Sequence, residues 1–445
     1  MLTKIGKRVV GTATVILPLA GLLCAPQLFS SGAGIGTPSY RKGESLDETA
    51  IRADGKLSFR YDCKVASREE IACVKSVAPV PELFRRDVIH DEIASELLLR
   101  GSRNESRVVN LNGHSAEEAV LCPPRLVTGA GRGWMIAWTG VENGPRKAKQ
   151  VSLFVKVFEE GSDVGEVRRL SNGKSVGVRS FDVASGRGNS YDFAWTDLGG
   201  SDFDLWPHPG IEEYERVFAR ALDGSFSLGD IVRVDRTARK RDNAYGVRTA
   251  RCGDGTLWAV WDTRRKGSWR LVAAVRGVKG WQKETLITEQ SQPHLFYSVT
   301  CSARGGISVA WSSSVGEPEL FVTDVGGNGI ERKERIADRA CCPDSVLDSR
   351  GRLHVAYQSM YPFGEVGSTN DPTGMVYLQS RTVVGWGVQS AYADSAYLGT
   401  LQADIDSDDG LHLFWQEKSG EKSELVHRAV SPSRESSSNA DETGG

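Results

Sequence analysis

Arg125 and Arg248 each stand 13 residues before a tryptophan, Trp138 and Trp261, in segments of otherwise different sequence. Arg179 and Arg264 lie near similar stretches, and so do the carboxylates Asp262, Asp344 and Glu417. Guanidinium groups brought together from separate segments can clamp a carboxylate or phosphate through paired N–H donors. Paired instead with Asp262 or Glu417, the same arginines would be ordinary rim ion pairs of small energetic weight. Two aromatics in long polar stretches, Trp206 and Tyr361, could stack on sugar rings or simply pin their loops. A third chemistry is offered by the adjacent cysteines of "CCPDSVLDSRGRLHVAY", Cys341 and Cys342, as a metal site, an oxidisable pair or a structural staple.

These residues mean little until the elements that carry them are known, and an internal repeat supplies those elements. The stretch ending at Tyr357, "GRLHVAY", has five relatives: "GRGWMIAW", "GNSYDFAW", "DGTLWAVW", "RGGISVAW" and "DDGLHLFW", ending at Trp138, Trp195, Trp261, Trp311 and Trp415. The closing aromatics are 57, 66, 50, 46 and 58 residues apart. Each copy runs from a short apolar strand through a glycine turn to an alternating strand, followed by two more strands. Four short strands at a period of about 50 residues predict the blades of a β-propeller. The fold class is therefore all-β, a six-bladed propeller of four-stranded blades over residues 106–430, with the closing aromatic packing between blades.

The sixth unit supplies only three strands, and residues 106–114, "SRVVNLNGH", are placed to add its fourth. Residues 34–105 read as a mixed N-terminal segment with one helix over 82–99, "ELFRRDVIHDEIASELLL". Residues 1–33 carry Lys4, Lys7 and Arg8 before an apolar run, the order of a signal peptide or N-terminal anchor. The protein is thus expected outside the cytoplasm, periplasmic or secreted, touching membrane only if that segment is retained. The polar tail 431–445 is expected to be disordered.

In a propeller the start of each inner strand and the end of each second strand share one face, where ligands are expected. Inner strands begin near Arg125, Arg179, Arg248, Tyr297 and Asp344; second strands end near Asp197, Asp262, Arg264, Gln358 and Glu417. The ligand-binding candidates are Arg125, Arg179, Arg248, Asp262, Arg264, Asp344, Tyr361 and Glu417. With 55 basic and 57 acidic side chains the net charge is −2, which gives no electrostatic case for nucleic acid.

Export makes disulfide candidates of Cys63, Cys73, Cys122, Cys252, Cys301, Cys341 and Cys342. Cys63 and Cys73 are close enough to staple a small loop, and Cys252 and Cys301 hold near-equivalent places in adjacent blades. Cys341 could join Cys342, or one of them could reach Cys122. No Cys-x-x-Cys or His-x-x-x-His spacing occurs, so neither a metal site nor a cofactor is expected. "DIDSDDG", residues 404–410, resembles a calcium loop, but its glycine is misplaced and Trp415 stands where a chelating glutamate belongs.

The repeated unit, above all "DSRGRLHVAY" and "DSDDGLHLFW", resembles the sialidase-like six-bladed propellers over residues 106–430. That resemblance implies an arginine triad with a tyrosine nucleophile and its acidic partner, drawn from Arg125, Arg248, Arg264, Tyr361 and Glu417. The sequence departs from the family at its Asp-box, Ser-x-Asp-x-Gly-x-Thr-Trp. "CGDGTLW" comes nearest, with Asp254, Gly255, Thr256 and Trp258 at imperfect spacing. It departs again where the family has Arg-Ile-Pro and this chain has "PPRLV". Three functions follow: a module binding a glycan or other small polar ligand, a sialidase-like glycoside hydrolase, or a scaffold for an envelope protein. The departures rank hydrolysis below binding.

Overall fold

The strands that carry the closing aromatics are buried on both faces: Ile307–Ser312 throughout, and Leu353–Ser359 at every residue but the last. Their runs of apolar and β-branched residues suit sheets covered on both sides. The structure, a computed structural model, describes residues 39–40, 48–52, 59–67, 70–77, 95–100, 106–110, 124–128, 134–143, 149–158, 167–171, 177–186, 189–199, 214–236, 242–294, 296–313, 317–359, 373–382, 385–387, 390–397, 400–419 and 422–430. All regular structure among the described residues is strand.

The six repeats form six blades. Blade 1 runs outward through Arg125–Thr128, Trp134–Asn143, Lys149–Phe158 and Arg168–Arg169. Blade 2 uses Val178–Ser185, Tyr191–Gly199, Tyr214–Leu222 and Val232–Arg233. Blade 3 uses Asn243–Arg251, Leu257–Arg265, Ser268–Gly277 and Thr285–Gln290. Blade 4 uses Tyr297–Cys301, Ile307–Ser312, Glu319–Gly326 and Gly329–Asp338. Blade 5 uses Ala340–Leu347, Leu353–Ser359, Thr373–Thr382 and Ser390–Tyr397. Blade 6 begins with Gln402–Ile405, Leu411–Ser419 and Lys422–Val430.

The closing aromatics pack between blades as the repeat predicts. Trp138, Trp195, Trp261, Trp311, Tyr357 and Trp415 are all buried. Trp195 joins a core with Val127, Met135 and Leu153 of blade 1, and Trp261 one with Ala184 and Val217 of blade 2. Trp311 packs with Trp258 and Leu271 of blade 3, and Trp415 with Val376 and Leu378 of blade 5. Four of these aromatics also stack on the ring directly opposite on the third strand: Phe154, Phe218, Phe321 and Tyr377. Such directly opposed pairs add cross-strand stabilisation to the burial itself.

Two N-terminal expectations are corrected. The fourth strand of blade 6 is Glu48–Arg52, which pairs antiparallel with Lys422–Val430. Ser106–Asn110 pairs instead with Ser95–Arg100, at the edge of a sheet that also contains Phe59–Ser67 and Glu70–Val77. Ser95–Arg100 is therefore a strand where a helix over 82–99 was expected; the other residues of that span lie outside the described residues. In the register Leu97, Leu98 and Leu99 stand opposite Val74, Cys73 and Ala72.

This N-terminal sheet stands in the ring beside the six repeat blades. Asp404 of blade 6 accepts the Val65 N–H at 2.7 Å, and Asp62 accepts the Leu126 N–H of blade 1 at 2.6 Å. The same latch recurs elsewhere, with Asp182 taking the Thr249 N–H at 2.7 Å and Asp344 the Ala403 N–H at 2.9 Å. In each case an inner-strand carboxylate satisfies a backbone donor of the next inner strand. A charged acceptor strengthens such a bond, and burial raises the cost of losing it.

Candidate functional site

Inner strands of three blades carry a bulge near the face where they begin: between Val178 and Ser180, Tyr245 and Arg248, and Cys341 and Asp344. A bulge inserts residues into one strand, twists it and re-aims the side chains around it. In blade 3 the bulge is built on Gly246, whose φ is +55°. A Cβ there would also approach the Tyr297 hydroxyl at 3.1 Å, so glycine meets both a backbone and a space requirement. The Tyr297 hydroxyl donates to the Tyr245 carbonyl at 3.4 Å, tying blade 4 to this bulge.

The structure sorts the four candidate arginines into two pairs. Arg125 is neutralised in the channel by Asp182 at 3.2 Å and Asp62 at 3.8 Å. Arg179 lies 3.4 Å from the buried Glu215 of the same blade. Arg248 and Arg264 are held differently. The Arg248 guanidinium lies 6.0 Å from the Tyr297 ring centre, and that of Arg264 lies 6.0 Å from the Trp269 ring centre. Among the described residues neither has a carboxylate within ion-pair distance. Cation–π contact fixes a guanidinium in place while leaving most of its N–H donors for another acceptor. Arg264 stands opposite Asn243 in the register, and Tyr245 opposite Asp262, so blade 3 presents them on one rim.

Tyr245 sits at the centre of this rim. Its ring tilts against Trp269 at 5.0 Å, and Asn243 Nδ2 donates to its hydroxyl at 3.0 Å. Burial, followed by the nearby Glu215 charge, pushes the phenol up to about 12, against the opposing pull of Asn243, Arg179 and Arg264. Tyr245 is therefore a neutral phenol at physiological pH.

The remaining candidates have structural commitments. Asp262 is fully buried and takes both the backbone N–H of His294 at 2.9 Å and a contact with His294 Nδ1 at 3.0 Å. Asp344 latches blade 6 and is raised by burial, with Lys64 and Arg125 pulling it back down. Glu417 Oε1 accepts from Trp415 Nε1 at 2.6 Å. Tyr361, Trp206 and Cys122 lie outside the described residues. In the calcium-like loop, Asp406 Oδ1 takes the N–H groups of Asp408 and Gly410 at 2.9 and 2.6 Å, the bonding of an ordinary turn.

Sequence reasoning missed the inner-strand acids Asp62, Asp182 and Asp404, along with Lys64. Burial lowers the Lys64 ammonium, but Asp404, Asp62 and Asp344 outweigh this and hold it above its ordinary range. It also missed Tyr245 and Trp269. An acid in the middle of each short apolar run, as in "YDCK", "SFDV" and "QADID", was the available signal.

The cysteines match two expectations. Cys63–Cys73 bridges the first two strands of the N-terminal sheet, and Cys252–Cys301 joins blade 3 to blade 4. These bridges indicate an oxidising compartment.

No family model matches this sequence, and no curated protein matches it. Among solved structures, a protein of unknown function from Dyadobacter fermentans is similar over 87% of this chain and 98% of its own, with a TM-score of 0.51 at 9% identity. The Hadza microbial sialidase Hz136 is similar over 81% of this chain and 76% of its own, with a TM-score of 0.45 at 11% identity. A sialidase of Trypanosoma rangeli is similar over 79% of this chain, which spans 60% of that enzyme, with a TM-score of 0.42 at 11% identity. At such identities the likeness is one of fold. The chain is an all-β propeller of four-stranded antiparallel sheets.

Proposed function

We propose that this is an exported propeller that binds a small polar ligand bearing a carboxylate, such as an acidic glycan, on the rim of blades 3 and 4. One observation carries the reading: Arg248 and Arg264 are positioned by aromatic rings rather than by carboxylates. Arg125 and Arg179, by contrast, are already neutralised. Two oriented guanidinium groups with unused donors suit a planar anion. The half-buried faces of Tyr245 and Trp269 beside them suit a sugar ring.

Hydrolysis is the weaker reading. A tyrosine nucleophile needs activation by a lowered pKa or an adjacent base. Tyr245 has Glu215 and Arg179 in electrostatic reach, but burial moves its phenol upward, away from activation. The test is an array of acidic and neutral glycans run beside a panel of fluorogenic glycosides. Retention of acidic glycans without turnover supports binding, and turnover lost on Tyr245→Phe would replace it with hydrolysis. If no glycan binds but a protein from the same compartment does, the scaffold reading takes over.

A further inference from the structure

Cys341 and Cys342 are both buried, with their Sγ atoms 2.8 Å apart. Adjacent side chains of an extended strand project to opposite faces, so neighbouring cysteines in a regular strand keep their sulfurs apart. Here the backbone departs from that rule. Cys342 has a φ of +54°, and the register breaks between Cys341, opposite Gln358, and Asp344, opposite Ala356. A non-glycine residue in the left-handed region is unfavourable and persists where the surroundings over-determine it. The bulge thus brings to one side two sulfurs that sequence adjacency would separate.

We propose that Cys341 and Cys342 form a vicinal disulfide in the mature protein, and that this ring locks the blade 5 bulge that presents Asp344. Adjacent Cα atoms are about 3.8 Å apart, closer than the ~4.4–6.8 Å usual for a bridge. A non-extended backbone is therefore a precondition, and the bulge meets it. The other cysteines bridged in this structure, Cys63–Cys73 and Cys252–Cys301, show that the chain belongs where thiols are oxidised. The oxidant is a disulfide, either of low molecular weight or carried by a thiol oxidase. One cysteine thiolate attacks a sulfur of that disulfide and expels a thiolate, leaving a mixed disulfide. The second cysteine thiolate attacks the mixed disulfide, closes the Cys341–Cys342 bond and expels the second thiolate. The two cysteine protons pass to the expelled thiolates, and the two electrons leave with them as two thiols. Because both sulfurs are buried once the blades have packed, closure belongs to folding and the bond is then shielded.

The consequence reaches the ring through Asp344, whose Oδ2 holds the Ala403 N–H of blade 6 at 2.9 Å and whose Oδ1 takes the Ser345 N–H at 2.9 Å. Fixing the residue pair before Pro343 and Asp344 fixes the orientation of that latch.

The experiment uses full-length protein produced in an oxidising compartment, denatured without reductant, alkylated, digested and weighed. The expected peptide contains Cys341 and Cys342, is two hydrogens lighter than the dithiol and carries no alkyl group. Alkylation of both residues, or a cross-link from either to Cys122, overturns the assignment. A Cys341→Ser, Cys342→Ser variant with both other bridges intact is expected to melt several degrees lower than the oxidised wild type. Equal melting temperatures would overturn the locking role even if the bond exists.

Discussion

At the scale of single residues, the same side-chain type does opposite work according to its partner. Arg125 compensates Asp182 and Asp62 in the channel, so Arg125→Ala leaves two largely buried carboxylates short of a counter-charge. We expect a loss of about 3 kcal/mol in chemical denaturation. Arg248→Ala removes a cation–π contact with Tyr297 and a hydrogen bond donated to the Val247 carbonyl, with no carboxylate left uncompensated, and is expected to cost about 1 kcal/mol. If both variants lose stability equally, the division into structural and available arginines fails. Gly246→Ala places a Cβ in a left-handed backbone beside the Tyr297 hydroxyl, and its expected cost is about 1–2 kcal/mol. The arginines were legible in the sequence because they hold equivalent places in two repeats. Their partners were not, because Asp62 meets Arg125 only once the N-terminal sheet joins the ring, and Glu215 meets Arg179 only once the first and third strands of blade 2 share a sheet. Asp262 looked like a rim acid by position, yet its carboxylate is committed to His294, a contact made across 32 residues.

At the scale of elements, the repeat was the most legible feature, since each closing aromatic must be buried between blades and so marks its strand. The N-terminal sheet was hidden for the same reason. In place of a closing tryptophan it has the Cys63–Cys73 bridge, which packs with Phe414 and Leu425 of blade 6. Loop-closure entropy makes the two bridges unequal. Cys252–Cys301 spans 49 residues and Cys63–Cys73 spans 10. Removing the longer is expected to cost on the order of 4 kcal/mol and the shorter about 3 kcal/mol, read from denaturation of the paired Cys→Ala variants. Blade turns also set the acid response. Burial depresses His354 below its ordinary value of 6.5, against the pull of Asp348. Hydrogen bonds from Arg352 and His354 hold Asp348 below 3.8 despite burial, and those from His412 and Gly410 do the same for Asp406. A depressed histidine binds its proton more readily in the unfolded chain, so its contribution falls away as pH drops through 6.5 and below. The depressed carboxylates contribute above 3.8 and lose that contribution as pH falls through their folded values. Melting temperature should therefore decline in two stages on acidification, with His354→Gln removing the upper stage and, through the lost contact with Asp348, reducing the lower. A flat profile between pH 7 and pH 5 in the wild type would contradict this.

At the scale of the whole molecule, closure depends on the N-terminal part of the chain at two places. Glu48–Arg52 completes blade 6, and the N-terminal sheet stands between Asp404 of blade 6 and Leu126 of blade 1. Ile51→Pro, opposite Leu425, should loosen blade 6 and expose it to limited proteolysis. Ring closure in turn gives the rim its rigidity, because the blade 3 bulge is held by Tyr297 of blade 4 and by Ser180 of blade 2, whose Oγ accepts the Val247 N–H at 3.2 Å. The proposed role of this rigid rim is to present Arg248 and Arg264 to a carboxylate. Its most direct test is titration of the wild type and an Arg248→Ala, Arg264→Ala variant with a panel of carboxylated and neutral glycans. Carboxylated glycans should bind the wild type and lose roughly tenfold or more in affinity, about 1.4 kcal/mol, in a variant that still melts cooperatively. Binding that is unchanged in the variant, or that ignores the carboxylate, would contradict it.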